Sequence, residues 1–201
     1  MRGSSRIRRG AAIVLALLGC ASAPATVVPA HSAAISNVPA LDSVMPAQIG
    51  RFALVERGNV QGTDGHRNYR YRDSSAARVS VYLYRASGDG TEAARDPRGR
   101  VAREGSIFLR DILPIQVRRG IYDSFEVLIS REDSATVDGS VVRTFVTGAR
   151  VHRRGETANE MQYVHLIGGD FVKVRATLPV AWPISVLQSF DSVLVQRLGR
   201  R

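Results

Sequence analysis

The sequence predicts an α+β fold: an antiparallel meander sheet of about six to seven strands packed by two helices. Strand-length runs of alternating apolar and polar residues recur along most of the chain. Glycine-bearing turn signals separate them. Two further stretches carry apolar residues at spacings of three and four, the mark of a helix with one buried face.

In chain order, Arg51–Glu56 (RFALVE) is the first short strand run. Gly58, Gly62 and Asp64-Gly65 then supply turn chemistry. His66–Arg72 alternates, with Tyr69 and Tyr71 on one face and His66, Asn68, Arg70 and Arg72 on the other. Arg78–Arg85 sets Val79, Val81 and Leu83 against Tyr82 and Tyr84. Gly99–Leu113 reads as a helix with Val101, Phe108 and Ile112 inward, weakened at Gly105 and stopped by Pro114. Four strand runs follow: Ile121–Ser130, Val141–Val151, Glu160–Ile167 and Phe171–Leu178. Asp138-Gly139, Arg154-Gly155 and Gly168-Gly169-Asp170 mark the turns between them, the last a tight hairpin. The final helix starts near Pro183, carries Ile184, Leu187, Phe190, Leu194 and Leu198 on one stripe, and ends at Gly199.

Of the 201 residues, 44% are hydrophobic and 23% charged, which excludes a disordered chain. The formal net charge is +10. Arg2, Arg6, Arg8 and Arg9 hold four of those charges near the N-terminus, leaving +6 for the rest. Lys173 is the only lysine, so every other cation is arginine. That bias reads first as the codon usage of a GC-rich genome; arginine also grips carboxylates and phosphates in a bidentate way that lysine cannot.

Residues 1–19 have the form of a secretory signal: a basic MRGSSRIRRG followed by the apolar Ala11–Leu18. Eight apolar residues are far short of the about 20 that span a bilayer. Leu17-Leu18-Gly19-Cys20 follows and resembles the bacterial lipoprotein lipobox, with Leu18 a departure from the commoner small residue. The resemblance implies diacylglycerol on Cys20, cleavage before it and acylation of the new amino terminus; two or more acyl chains anchor a protein stably where one does not. Ala21 and Ser22 after the cysteine, rather than Asp, imply the outer membrane facing the periplasm. A plain secretory cut after Ala23 or Ala25 would discard Cys20 and release a soluble protein. With one cysteine, no intramolecular disulfide forms. Residues 20–45, rich in Ala, Pro and Ser, read as a flexible tether, and 46–201 as one α+β domain. The order of strands, helix, antiparallel strands and helix resembles PsbP-like domains, which implies partner binding rather than catalysis.

No catalytic signature accompanies this fold. GxSxG, HExxH, Walker and dinucleotide patterns are absent, and Ser106 in Glu104-Gly105-Ser106 sits in a helix pattern. His31, His66, His152 and His165 are isolated, and no metal or cofactor is expected. Gly88-Asp89-Gly90 has too few acids for calcium. His165 reads as a partly buried strand residue. Asp123, Glu126, Glu132, Asp133 and Asp138 read as solvated surface. The distinctive feature is cations on strands: Arg70 with Arg72, Lys173 with Arg175, and Arg143. On one sheet face they would form a basic plate for an anionic envelope component or acidic protein, and otherwise they pair with acids. Secretion removes nucleic acid as a partner. The expected protein is therefore not an enzyme but a lipid-anchored binding or accessory domain. The alternative, an envelope hydrolase, needs a cleft where His165 or His66 meets an acid and a hydroxyl.

Overall fold

A computed structural model describes residues 38–60, 65–75, 77–85 and 96–200. Cys20, residues 1–37, the turn residues 61–64 and the Gly88-Asp89-Gly90 loop lie outside the described residues. Eight strands form one antiparallel sheet: β1 (Gln48–Ile49), β2 (Phe52–Asn59), β3 (Arg67–Arg72), β4 (Arg78–Arg85), β5 (Ser124–Val137), β6 (Ser140–Arg153), β7 (Glu156–Ile167) and β8 (Asp170–Pro179). The order is β1-β2-β3-β4-β8-β7-β6-β5. Two four-strand meanders are thus joined in mid-sheet, because β8 pairs with β4 rather than forming an edge.

The hairpins of the second meander follow from their turn residues. Asp138-Gly139, Arg154-Gly155 and Gly168-Gly169 all have positive φ at both positions. That is the type I′ geometry whose twist matches the flanking strands. Arginine rarely adopts it, and the Arg154 N–H is held by the Asp123 carboxylate at 2.7 Å.

Alternation along the strands gives the sheet two faces. On the first, Tyr71, Val79, Val81, Val172, Val174 and Met161 are buried beneath α4 (Ser185–Gly199). Leu187, Phe190, Leu194 and Leu198 enter this core from the helix, and the Phe190 ring meets Phe52 and Tyr71 edge-on at 5.4 and 5.2 Å. On the second face, α2 (Pro97–Ile107) packs on β6 and β7. Asp96 caps it, accepting from the Gly99 N–H at 2.8 Å, with Pro97 in the first turn. Gly105 is the point of closest approach: a Cβ there would lie 2.4 Å from the Phe145 ring.

Two expectations are corrected. The helix does not stop at Pro114. It runs through a π-helical turn (Phe108–Ile112) into α3 (Leu113–Arg118). The Leu113 N–H bonds to the Phe108 carbonyl, five residues back. Widening the helix just before Pro114 relieves the ring's clash with the preceding turn. The tether expected over residues 20–45 does not extend to residue 45. Val38–Ser43 form α1, Leu41 and Met45 are buried, and the Tyr71 hydroxyl donates to the Pro46 carbonyl at 2.8 Å. Leu41, Val44 and Met45 have helical spacing, a signal masked by the surrounding Ala and Pro. No helix among the described residues is long and apolar enough to cross a membrane.

Candidate functional site

Sheet register decides which strand cations meet. All five sequence-predicted positions point to the second face, the side of α2, but they do not act as one plate. Arg70 pairs with Glu56 at 2.7 Å. Lys173 reaches Glu104 of α2 at 2.5 Å, where the carboxylate also accepts from the Tyr84 hydroxyl at 2.6 Å. Burial, and then that carboxylate, hold the Tyr84 phenol well above its ordinary pKa. Arg175 reaches Glu160 at 3.3 Å. Glu160 is only 3% exposed and also accepts from Thr177 at 2.7 Å and Tyr122 at 3.0 Å. Burial first, and then Glu160, push the Tyr122 phenol up to about 12. Arg143 lies on β6, three strands from β4, with the α2 contacts of Val101 on Val164 and Phe171 in between.

The remaining predicted cation, Arg72, has an unanticipated neighbour. Register places it directly opposite Arg78 across the β3–β4 pair. Both are exposed, and among the described residues neither has a carboxylate within the 4.0 Å of an ion pair. Like charges directly opposite on adjacent strands are destabilising. The next residues in that row are Thr177 and Glu160, and the adjoining row carries Arg70, Ser80 and Arg175. Two hollows lie on this face, and Arg78 lines the first of them. One, about 370 Å³, is lined by Arg78, Tyr122, Arg153 and Glu160. The other, about 290 Å³, is lined by His66, Tyr82, Tyr84, Lys173 and Arg175. The region around β3, β4 and β8 is therefore an aromatic, arginine-bearing surface, with two cations lacking a described carboxylate partner at the end of the β3–β4 pair.

The first face holds a second polar constellation. His165 is 1% exposed. Its Nε2 lies 2.7 Å from Asp191 of α4, and its Nδ1 lies 2.9 Å from the hydroxyl of Thr144, its cross-strand neighbour on β6. A carboxylate only accepts, so the ring proton belongs on Nε2 and Thr144 donates to Nδ1. This is the acid, imidazole and hydroxyl set that the hydrolase alternative requires. All three side chains line a cleft between α4 and the β5–β6 hairpin, and their chain of bonds also fastens α4 to the sheet. Asp191 was hidden among the apolar residues of the helix stripe; Thr144 became legible only once register set it against His165. Among the described residues no group of three or more His, Cys, Asp or Glu is placed to hold a metal ion.

No family model matches the sequence, and no curated protein does. Solved structures similar in shape include two of low sequence identity. The solution structure of cyanobacterial PsbP (CyanoP) from Synechocystis sp. PCC 6803 matches at 16% identity and TM-score 0.44, over 70% of this chain and 79% of that one. The crystal structure of PA94, a protein of unknown function from Pseudomonas aeruginosa, matches at 14% identity and TM-score 0.37, over 76% of this chain and 99% of that one. No residue role is carried over from either.

Proposed function

We propose that this chain is a lipid-anchored envelope protein whose domain binds an anionic partner on the β3–β4–β8 surface. The observation that carries the reading is the Arg72–Arg78 pair. Two exposed arginines face each other with no carboxylate partner among the described residues, an arrangement that costs stability unless an anion joins them. Arginine's planar fork suits phosphate or carboxylate groups. The paired cations Arg70, Lys173 and Arg175 frame the site, and Arg143 is left outside it. The role of this surface is binding, not turnover.

The anchor at Cys20 complements a weak surface interaction, because membrane attachment raises the local concentration of any envelope partner. An acidic protein would meet the same surface, and a secreted form cut after Ala23 or Ala25 would carry it unanchored. Two experiments test the proposal. Cys20→Ser should release the protein from salt-washed membranes; continued sedimentation would mean that lipid is not what holds it. The released domain should bind vesicles containing anionic lipid, lose that binding as salt screens the charges, and ignore neutral vesicles. Equal binding to both kinds of vesicle would overturn the anion reading.

A further inference from the structure

A cleft of about 400 Å³ opens on the first face between α4 and the β5–β6 hairpin, within the size range of small-molecule sites. Two of its lining groups are nearly buried and only partly satisfied. Tyr163 is 6% exposed and lies beside His165, rings near parallel with centroids 6.4 Å apart. Its hydroxyl has no hydrogen-bond partner among the described residues. Asp191 is 8% exposed, and one of its carboxylate oxygens is occupied by His165 while the other accepts no hydrogen bond from a described residue. Burial, and then the charge of Asp191, keep the Tyr163 phenol protonated and so a donor. A donor and an acceptor on two nearly buried residues thus line the same cleft, within electrostatic reach of each other and with no bond between them.

Only certain chemistry completes such a pair. A phosphate or carboxylate would meet the charge of Asp191, and among the described residues no lysine or arginine lines the cleft to offset it. An ammonium group satisfies the carboxylate but cannot accept the Tyr163 proton. An alcohol does both, accepting from Tyr163 and donating to Asp191. The rest of the wall extends that pattern. Gln188 and Gln196 present amides that both donate and accept, Asp133 adds a further acceptor, and Val137 and Val195 give an apolar patch. Alternating hydroxyls beside a C–H face are the chemistry of a sugar ring.

From this we infer that the cleft binds a neutral saccharide, with a ring hydroxyl bridging Tyr163 and Asp191. The site is separate from the arginine surface and on the opposite face of the sheet, so either assignment stands if the other fails. The test titrates the chain with glucose, N-acetylglucosamine, maltose and cellobiose, followed by amide chemical shifts, with spermidine as a comparison. Saturable binding of at least one sugar, with shifts centred on Tyr163, Gln188 and Asp191, is the expected result. Tyr163→Phe removes a hydroxyl that no described protein group uses, so it should melt at an unchanged temperature while weakening sugar binding roughly tenfold. Asp133→Asn, at an exposed position, should weaken it less. No binding across the sugars overturns the inference. So does binding unaffected by Tyr163→Phe, shifts centred on the arginine surface, or spermidine occupying the cleft where sugars do not.

Discussion

At the residue scale, a buried and a half-buried carboxylate decide which cations are free. Glu160 gathers Arg175, Thr177 and Tyr122, and Glu104 gathers Lys173 and Tyr84. Each converts a cation that reads as exposed from alternation alone into an internal partner. Glu160→Gln leaves Arg175 without its counter-charge, and removing one partner of a buried pair costs about 3 kcal/mol. Chemical denaturation should show that loss, together with tighter binding of anions near Arg175; unchanged stability would mean that the pair is not buried in solution. Asp191→Ala removes the acceptor that holds α4 through His165 and leaves a buried imidazole N–H unpaired. It should cost about 1–3 kcal/mol by the same measurement, whereas Asp138→Asn, at an exposed pair with Arg200, should change stability by less than about 0.5 kcal/mol. Sequence alone places these residues on faces but not beside their partners. Alternation is local, and Glu160 and Arg175 meet only across the β7–β8 pair.

At the element scale, what was legible is what local chemistry determines. Period-two alternation located seven of the eight strands, and the glycine pairs located the hairpins. The two-residue β1 is too short to alternate, and the helix across Pro114 depends on a single π turn. Gly105 illustrates a local signal with a non-local cause: it weakens the helix as a sequence feature, yet it is what lets α2 sit against Phe145. Gly105→Ala gains helix propensity of about 1 kcal/mol but forces Phe145 to move, a cost of about 1–3 kcal/mol. The variant should therefore melt lower than the parent; a higher melting temperature would show that α2 stands further from β6. Arg154→Asn addresses the opposite case. It keeps the Asp123 bond to the backbone N–H and replaces a side chain poorly suited to positive φ, so it should stabilise by about 0.5 kcal/mol.

At the scale of the whole molecule, the join between the two meanders positions the proposed site. β8 beside β4 brings Lys173 and Arg175 next to the hairpin bearing Arg72 and Arg78. No local pattern in the sequence specifies that join, which is why the cations were legible as strand residues but their assembly was not. Arg78 was the residue missed, and loop length could have found it: the residues 73–77 close a hairpin whose flanking positions are both arginine. The tyrosines report on the molecule as a unit. Tyr71 and Tyr122 are pushed up to about 12, chiefly by burial. Their folded pKa exceeds the unfolded value near 10, so their contribution is fully present below pH 10 and is lost as pH rises toward 12. Unfolding free energy should thus be insensitive to these groups below pH 10 and fall above it, in step with tyrosinate absorbance; ionisation near pH 10 without unfolding would contradict the packing of the sheet.

The central claim is that Arg72 and Arg78 form the anion site, and charge reversal tests it most directly. Binding to anionic vesicles should be compared for the parent, Arg72→Glu/Arg78→Glu and Arg143→Glu. Each surface cation contributes about 1 kcal/mol at an anionic membrane, so the double variant should bind at least roughly tenfold more weakly, while Arg143→Glu stays within about threefold of the parent. Equal losses in the two variants would reduce the interaction to net charge, and undiminished binding by the double variant would contradict the assignment.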